Sequence, residues 1–145
     1  MSNHAQYDIR FGDWSVLKED ASIIRFEVFV EEQNVPAELE MDHMDAVCLH
    51  AVAYDAAGTP IDTGRLLPDG HIGRMAVRKR GRGTGVGGAL LQTLMAQAKA
   101  RGDRQVVLSS QTHAAPFYQR HGFTFEGDEF FEAGIAHINM RYKFD

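Results

Sequence analysis

The sequence predicts an α/β domain built around a mixed sheet. Apolar segments of strand length alternate with longer segments of helical spacing, in the order β, α, β, β, β, α, β, α, β. A glycine-rich loop joins an apolar strand to the most regular of these helices. The chain has 145 residues, 44% of them hydrophobic, which is enough to bury a core without metal or disulfides, so we expect residues 1–145 to form a single domain.

The first half of the chain predicts one strand, one helix and a meander. Residues 8–11 alternate polar and apolar side chains, as a short strand does. Residues 15–29 have apolar side chains near helical spacing and predict a helix with one break, with Ser15 as its N-cap. A loop or a short second helix follows around Pro36. The meander consists of strands at about 47–54, 61–67 and 71–77, separated by turn signals at 57–60 and 68–70.

The second half begins with the helix that follows the glycine loop. Its apolar side chains form one stripe, and it ends at Gly102. Residues 105–110 form a short apolar run that predicts a central strand, and residues 113–121 predict a short helix capped by Gly122. From Ile135 onward the side chains alternate, which predicts a final strand.

Composition excludes several classes of function. The net charge of −5 argues against general nucleic-acid binding, and no apolar run approaches the length of a membrane span. The N-terminal residues do not resemble a secretion signal, so we expect a cytoplasmic protein without a membrane partner.

Cys48 lies in a strand-like run, so we expect its thiol to be buried and not to act as a nucleophile. Acidic and histidine residues at 42, 43, 45 and 50 fit no recognised zinc spacing, so we predict no metal.

Charge is distributed unevenly along the chain. Residues 27–45 contain seven acidic residues and no lysine or arginine, whereas residues 70–102 contain seven lysines and arginines and no acid. We expect the first segment to repel anions and to suit a cationic acceptor. We expect the second segment to attract cofactor phosphates, with Arg78, Lys79, Arg80 and Arg82 nearest the glycine loop.

Residues 82–88, Arg-Gly-Thr-Gly-Val-Gly-Gly, form the most informative segment of the chain. Glycine adopts backbone conformations closed to other residues and has no Cβ to hold a ligand away. The helix that follows directs its free N–H groups and the positive end of its dipole at whatever the loop binds. The segment therefore predicts a phosphate-binding loop.

Spacing distinguishes three kinds of phosphate loop. No glycine is followed by the lysine and hydroxyl residue of a Walker A loop, which argues against a nucleoside triphosphate. Residues 83–88 fit G-x-G-x-x-G, but the next strand ends in Ser109-Ser110 and lacks the acidic residue of a dinucleotide site. The third pattern, Arg82-x-x-Gly85-x-Gly87, begins with arginine and lies between the apolar segments 75–77 and 90–91.

This third pattern resembles motif A of the GNAT superfamily, the GCN5-related N-acetyltransferases, in which backbone amides wrap the pyrophosphate of acetyl-coenzyme A. Residues 111–123 resemble the later signature of that family, N-x-x-A-x-x-x-Y followed by Gly-Phe, with Gln111 where the family often has asparagine. Residues 25–33 and 134–138 are similar to the ElaA-like branch. The resemblance covers nearly the whole chain.

The resemblance implies the GNAT fold, with a mixed central sheet of six to seven strands flanked by about four helices. It also implies a site for acetyl-coenzyme A as co-substrate, in which a backbone N–H of residues 75–77 binds the oxyanion of the reaction. The residues expected to contact acetyl-coenzyme A are Met75, Ala76, Val77, Arg82, Gly83, Thr84, Gly85, Val86, Gly87, Gly88, Gln111, Ala114, Phe117 and Tyr118.

Acetyl transfer to an amine needs a base for the ammonium proton and an acid for the departing thiolate. Tyr118 is the expected acid because it matches the tyrosine of the signature, and a phenol is protonated at neutral pH. Two residues are candidates for the base. Glu27 lies on the last turn of the first helix, which borders the acceptor cleft in GNAT folds, and we expect burial to raise its pKa. His137 lies on the polar face of the last strand, within an ElaA-like segment.

We therefore predict an N-acetyltransferase that uses acetyl-coenzyme A and a small-molecule or peptide amine, by direct attack in a ternary complex. The first alternative is a non-catalytic acyl-coenzyme A-binding module. A dinucleotide-binding oxidoreductase is the second, and an acyl-homoserine-lactone synthase, through a faint likeness of residues 25–29, is the third. Homodimers are common among GNAT proteins, so a homodimer is an expectation of the family.

Overall fold

The computed structural model describes residues 7–145, and this part of the chain has α/β architecture with seven strands and four α-helices. The strands are β1 (Asp8–Gly12), β2 (Leu49–Tyr54), β3 (Pro60–Leu66), β4 (Ile72–Val77), β5 (Gln105–Gln111), β6 (Thr124–Glu132) and β7 (Ile135–Lys143). The α-helices are α1 (Trp14–Arg25), α2 (Ala37–Glu40), α3 (Val86–Ala100) and α4 (Ala115–Arg120). A π-helical segment (Phe26–Glu32) continues α1, and 3-10 turns occupy His43–Val47, Lys79–Gly81 and Thr112–Ala114.

The strands form two antiparallel sheets that meet at one parallel contact. The first sheet has the order β1-β2-β3-β4 and the second the order β5-β7-β6. They join where His71 bridges Val107, whose N–H donates to the Gly70 carbonyl at 3.1 Å. This parallel contact makes the sheet arrangement mixed, as predicted. Beyond it, no described residues pair β4 with β5. The unpaired stretch between the carboxyl ends of the two strands, from Val77 to Gln111, is referred to as the cleft.

Helices α1 and α3 pack on opposite faces of the first sheet. Positions 17, 21 and 24 of α1 share one helical face and bury Leu17, Ala21 and Ile24 against the sheet. The larger apolar stripe of α3 is buried in the main core and consists of Val86, Leu90, Leu91, Leu94, Met95 and Ala98. Each large side chain buried in this way contributes about 1.5–3 kcal/mol. Within residues 7–145, no helix is both long enough and apolar enough to cross a membrane.

The helix predicted for residues 15–29 changes its winding after Arg25, which confirms the predicted break. In the π-helical segment each N–H reaches back five residues, and the Gln33 N–H still donates to the Val28 carbonyl at 3.2 Å. The prediction of Ser15 as the N-cap is wrong. Asp13 is the N-cap, because the Val16 and Leu17 amides bond to its carbonyl, while the Ser15 hydroxyl donates to its side chain at 2.7 Å.

Strand β6 is absent from the predicted order of elements, although seven strands fit the predicted range. Its sequence does not alternate, because nearly all of its side chains are exposed and Gly127 interrupts it with a φ of 81°. The strand forms by pairing with β7, and the register shifts between Glu126 and Phe130 at a β-bulge. A strand that depends on a partner and not on burial leaves no periodic signal in the sequence.

Strand β4 carries a second bulge that shapes the wall of the cleft. Thr63 of β3 pairs with Ala76 and Arg65 pairs with Gly73, so β4 has two residues opposite Gly64. The extra residue, Arg74, has a φ of 50°, which is uncommon for a residue other than glycine. A Cβ at position 64 would force the Met75 side chain to move, because its Sδ lies too close to that point.

Candidate active site

The loop between β4 and α3 lies at the carboxyl end of β4. The Thr84 hydroxyl donates to the Gly81 carbonyl at 2.5 Å and fixes the turn. Gly83 and Gly85 have φ values of 76° and 87°, in the left-handed region that glycine adopts without strain. Gly85 is the N-cap of α3, so the first N–H groups of α3 face the loop without acceptors in the helix. The loop thus presents backbone donors at the positive end of the helix dipole.

Helix α4 packs directly against the start of α3. A Cβ added to Gly88 would lie 3.0 Å from the His121 ring, and one added to Gly87 would lie 3.7 Å from Phe117 Cζ. Phe117 meets Tyr118 edge-on, with ring centroids 5.0 Å apart. The absence of side chains at positions 87 and 88 therefore brings the aromatic residues of α4 beside the loop.

Tyr118 is packed into the main core, where it is 8% exposed. Its ring also meets Phe123 edge-on, at a centroid distance of 5.9 Å. Burial raises the pKa of the Tyr118 phenol, and Asp62 raises it further when its carboxyl group is ionised. The hydroxyl is therefore protonated at neutral pH, which is the state that a proton donor needs.

The basic residues beside the loop are largely paired with carboxylates. Arg82 donates to both carboxylate oxygens of Glu32, at 2.9 and 3.0 Å, and its Nε donates to the Val77 carbonyl at 3.0 Å. Arg80 forms an ion pair with Asp55. Acids distant in sequence thus occupy these two side chains, and the expectation that the basic residues attract cofactor phosphates stays a prediction. The backbone of the loop is the part left open to a phosphate.

Glu27 is held by an arginine as well. Arg78 donates to its two carboxylate oxygens at 2.9 and 3.0 Å. This hydrogen-bonded ion pair lowers the pKa of Glu27, and its effect exceeds the smaller upward effect of burial. The expectation that Glu27 has a raised pKa is therefore wrong, because the arginine outweighs burial.

Most of the acidic segment also binds arginines. A buried ion cluster is formed by three arginines and three carboxylates, namely Arg25, Arg65, Arg74, Glu40, Asp42 and Asp45. Arg25, which is 1% exposed, donates to both oxygens of Asp45 at 2.9 and 3.0 Å and also binds Glu40. Arg65 bonds to Asp42 at 2.7 Å and to Asp45 at 2.8 Å. The cluster balances its own charge, so these acids do not form a surface for a cationic acceptor.

The residues weighed as a metal site have other partners. Asp42 and Asp45 belong to the buried ion cluster, and His50 Nε2 bonds to the Asp45 carbonyl at 2.9 Å. Burial lowers the pKa of His50, which keeps the imidazole neutral. Across residues 7–145, no three histidine, cysteine or acidic side chains are placed to share a metal ion. Cys48 is buried, and burial raises the pKa of its thiol.

The opposite wall of the cleft carries Gln111, at the carboxyl end of β5. Its Nε2 donates to Gln33 Oε1 at 2.8 Å, and Gln33 Nε2 donates back to Gln111 Oε1 at 3.4 Å. This amide pair links the end of the π-helical segment to β5. Gln33 is not among the predicted site residues, and its one sequence signal is its place in the ElaA-like segment 25–33.

His137 lies next to Gln111, because the two residues are partners in the β5–β7 ladder. Its ring stacks on Phe130 at a centroid distance of 5.8 Å, and Nδ1 bonds to the Ile135 carbonyl at 2.7 Å. His137 lies on the polar face of β7, as predicted, but Phe130 stacks on its ring and the residue is only 8% exposed. A carbonyl oxygen only accepts, so Nδ1 carries a hydrogen, and in the neutral ring Nε2 then has the lone pair. Glu132 Oε2 lies 3.8 Å from Nε2.

Comparison with known proteins identifies this arrangement. Residues 16–144 match the family model of the acetyltransferase (GNAT) domain. The chain belongs to the GNAT acetyltransferase family. The cleft between β4 and β5, with the glycine loop on one side and Tyr118 beside it, is therefore the candidate active site of a GNAT acyltransferase.

Relatives of this GNAT protein match it over most of their own length. YjcF of Bacillus subtilis, described as an uncharacterised N-acetyltransferase, is 41% identical over 126 residues, which cover 84% of this chain and 89% of YjcF. An acyl-CoA N-acyltransferase from Pseudomonas aeruginosa has a TM-score of 0.82 and 31% identity, and the match covers 93% and 98% of the two chains. ElaA of Escherichia coli has a TM-score of 0.82 and 27% identity, over 94% and 99%. The predicted superfamily and the ElaA-like resemblance are confirmed.

Most of the predicted cofactor-binding residues of this GNAT protein lie together, whereas its predicted catalytic residues lie on separate elements. The loop residues 82–88, the last residues of β4 and the α4 residues Phe117 and Tyr118 lie together around the start of α3. Ala114 ends the 3-10 turn before α4 and packs against the main core. The three predicted catalytic residues lie on different elements, and no hydrogen bond within residues 7–145 joins any two of them. Glu27 is on the π-helical segment and His137 on β7.

One further residue near Tyr118 lacks any signal in the sequence of this GNAT protein. Asp62, on β3, is 0% exposed, and neither carboxylate oxygen has a hydrogen-bond partner among the described residues. Burial raises its pKa well above the usual range. A single aspartate in a strand normally predicts a solvent-facing position, so nothing in the sequence distinguishes Asp62 from a surface residue.

Proposed function

We propose that this GNAT acyltransferase transfers the acetyl group of acetyl-coenzyme A to an amine, by direct attack in a ternary complex. One observation carries the proposal: a glycine loop with free helix N-terminal amides lies at the carboxyl end of β4, beside a buried protonated tyrosine. Open α/β sheets bind ligands in the crevice at the carboxyl ends of their strands, at the point where the strand order reverses. The family and its named relatives support the same donor.

The loop side of the cleft suits a pyrophosphate. Backbone amides of residues 83–88 supply donors that need no lysine, and a Cβ-free Gly83 leaves open space beside them. We assign Arg82, Thr84 and Val86 to this binding site together with the loop glycines. We assign the acyl-carrying end to the segment Met75–Val77 on one side and to Gln111, Ala114, Phe117 and Tyr118 on the other, as the family motifs imply.

Tyr118 is the proposed acid. When bound, acetyl-coenzyme A supplies a thioester carbonyl, and the acetyl carbon gains a bond to the amine nitrogen as its bond to sulfur breaks. Tyr118 gives its proton to the departing sulfur and regains one from solvent after release. Its phenol is available for this role because it stays protonated at neutral pH and has no hydrogen-bond partner among residues 7–145.

His137 is the proposed base, in preference to Glu27. The bond from His137 Nδ1 to the Ile135 carbonyl leaves Nε2 able to take a proton from the amine. Glu27 is a weaker base while Arg78 binds both of its oxygens. His137 is also beside Gln111 at the end of β5, on the acceptor side of the proposed cofactor cleft.

The acceptor that we propose is an amine of a small molecule or of a peptide. Two acids of the segment 27–45, Glu31 and Glu38, have no ion pair within the described residues. They are therefore the acids of that segment available to a second cation. We propose that the 145 residues act as one catalytic unit in the cytoplasm.

Isothermal titration of the purified protein with acetyl-coenzyme A and, separately, with NADH tests the binding half of the proposal. We expect micromolar binding of acetyl-coenzyme A and none of NADH. Gly83→Ala should weaken that binding, because a Cβ at a φ of 76° distorts the loop. Gly58→Ala is the matched control, since Gly58 has a φ of 82°, equally open surroundings and a place in a distant turn. Binding of NADH alone would overturn the proposal.

Thiol release with a panel of primary amines tests the catalytic half. We expect Tyr118→Phe to bind acetyl-coenzyme A normally and to lose about 10²-fold or more in kcat. Tyr142→Phe, in the same core, is the control for loss of a tyrosine hydroxyl. Normal binding without release for any amine would favour a non-catalytic acyl-coenzyme A-binding module.

A further inference from the structure

Asp62 points into the main core from the middle of the first sheet. Its antiparallel partners are Ala53 on β2 and Val77 on β4, and paired residues share a face of the sheet. Ala53 and Val77 both pack in the main core beneath α3 and α4. Asp62 therefore faces the same core as Tyr118, with no exposure and with both carboxylate oxygens unpartnered.

Among residues 7–145, no cationic side chain bonds to Asp62. The described titratable side chains that pack in the main core are Tyr7, Tyr118 and Tyr142, with His121 at its edge against Gly88. Tyr7 donates to Thr84 Oγ1 at 3.2 Å, so its hydroxyl is directed at the loop. Arg65, the nearest arginine along β3, binds Asp42 and Asp45 instead. Burial raises the pKa of Asp62 well above its usual range and outweighs the opposing effect of the neighbouring Thr63 N–H, because desolvation in an apolar core disfavours the charged form.

We propose that Asp62 is a positioning residue that acts through Tyr118: as a neutral acid it lets Tyr118 donate its proton, and as a carboxylate it prevents this. The inference rests on the proposed function, in which Tyr118 protonates the departing sulfur. Donation leaves a phenolate in the core. A second negative charge nearby repels that phenolate strongly where the dielectric constant is low. Asp62 keeps its own proton throughout the cycle and never contacts the substrate.

The charge coupling can be measured without turnover. With ¹³C labels in aspartate carboxyl and tyrosine ring carbons, we expect the Tyr118 signal to shift in step with the Asp62 titration. The step should vanish in Asp62→Asn and in Asp62→Ala. Tyr54 is the internal control, because its hydroxyl donates to Asp20 at 2.5 Å on the other face of the sheet. An Asp62 already ionised at neutral pH, or a Tyr118 signal that ignores it, would overturn the proposal.

The pH dependence of thiol release tests the consequence for catalysis. We expect the wild-type rate to fall as Asp62 ionises. Asp62→Asn, which cannot ionise, should lack that fall, so its rate should stay level over the pH range in which the wild-type rate declines. In a Tyr118→Phe background, Asp62→Asn should change nothing. A fall that persists in Asp62→Asn would overturn the proposal. If the NMR coupling is present and no amine is acetylated, the transferase proposal fails while the Asp62–Tyr118 coupling stands.

Discussion

Arg78 holds Glu27 by two hydrogen bonds, from its Nε and one Nη, at 2.9 and 3.0 Å. A third bond, from the other Nη to the Pro60 carbonyl at 3.1 Å, fixes the guanidinium to the start of β3. The pair joins residues 51 positions apart in the chain and ties the π-helical segment to the end of β4. The ion pair therefore connects the π-helical segment to the first sheet.

Glu27→Gln should therefore reduce stability slightly and leave activity nearly intact. Because the pair is partly exposed, we expect a loss of about 0.5–1 kcal/mol in unfolding free energy at pH 7, measured with urea. The pKa of Glu27 is lowered in the folded state, so its contribution is present at neutral pH and disappears as pH falls through that lowered value. The kcat should stay within about threefold of wild type. A loss of more than about 100-fold would instead identify Glu27 as the base.

His137→Gln should remove the base and lower kcat by about 10²–10⁴-fold, with acetyl-coenzyme A binding unchanged. The measurement is thiol release at saturating donor. His113→Gln is a suitable control, since His113 is an exposed histidine just before α4. Equal losses from both variants would show that neither ring acts on the amine.

Glu32→Gln should strengthen binding of acetyl-coenzyme A. Arg82 donates to both Glu32 oxygens, and removing that charge frees the guanidinium to meet a phosphate. We expect the Kd to fall by about three- to tenfold at low salt and the effect to shrink at high salt. Isothermal titration measures it, with Glu31→Gln as the neighbouring control without an ion pair in the described chain. Weaker binding in Glu32→Gln would show that Glu32 orients Arg82 for the ligand.

Asp45→Asn should destabilise the fold by about 3–5 kcal/mol, because it leaves Arg25 and Arg65 buried without a full countercharge. Burial alone would raise the pKa of Asp45, but hydrogen bonds from the two arginines outweigh it and the pKa is lowered. The contribution of Asp45 is thus present at neutral pH and lost in acid as it protonates. Urea unfolding measures the change. Exposed Glu38→Gln is the control, and similar losses in both variants would contradict the prediction.

The stability of wild-type protein relative to Asp62→Asn should fall as pH rises. The pKa of Asp62 is raised in the folded state, so between about pH 4 and that raised value the folded chain holds a proton that the unfolded chain has lost. Each pH unit in this window costs up to about 1.4 kcal/mol. Urea unfolding of both proteins from about pH 5 to pH 8 gives the difference, in which other titrating groups cancel. A difference that is independent of pH would contradict the prediction.

Elements that bury a periodic face could be predicted from the sequence. The stripe of α3 and the three strands of the meander were placed within about two residues, because each element packs a repeating apolar set into the core. Strand β6 could not be predicted, because pairing with β7 holds it in place. The bulge at Arg74 was also not predictable, since it depends on Gly64 of the neighbouring strand.

The glycine loop and the aromatic residues of α4 were predictable because their spacing is local. The partners of the charged residues were not, since Arg78 and Arg82 bind acids 51 and 50 positions away. Long-range ion pairs therefore join the acidic segment to the basic segment at three places, Glu27–Arg78, Glu32–Arg82 and Asp42–Arg74. Asp62 illustrates the same limit, because only the strand register shows which face a charged residue occupies.

Cys48 has a practical consequence for studying the protein. It is the one cysteine of the chain, it is 3% exposed, and burial raises the pKa of its thiol. Maleimides and aromatic disulfides react with thiolates, so they should not label the folded wild-type chain. A cysteine introduced on the surface of the π-helical segment, or at the end of β5, would then carry a single fluorophore, and a pair of such cysteines, one at each place, would let energy transfer report the width of the cleft.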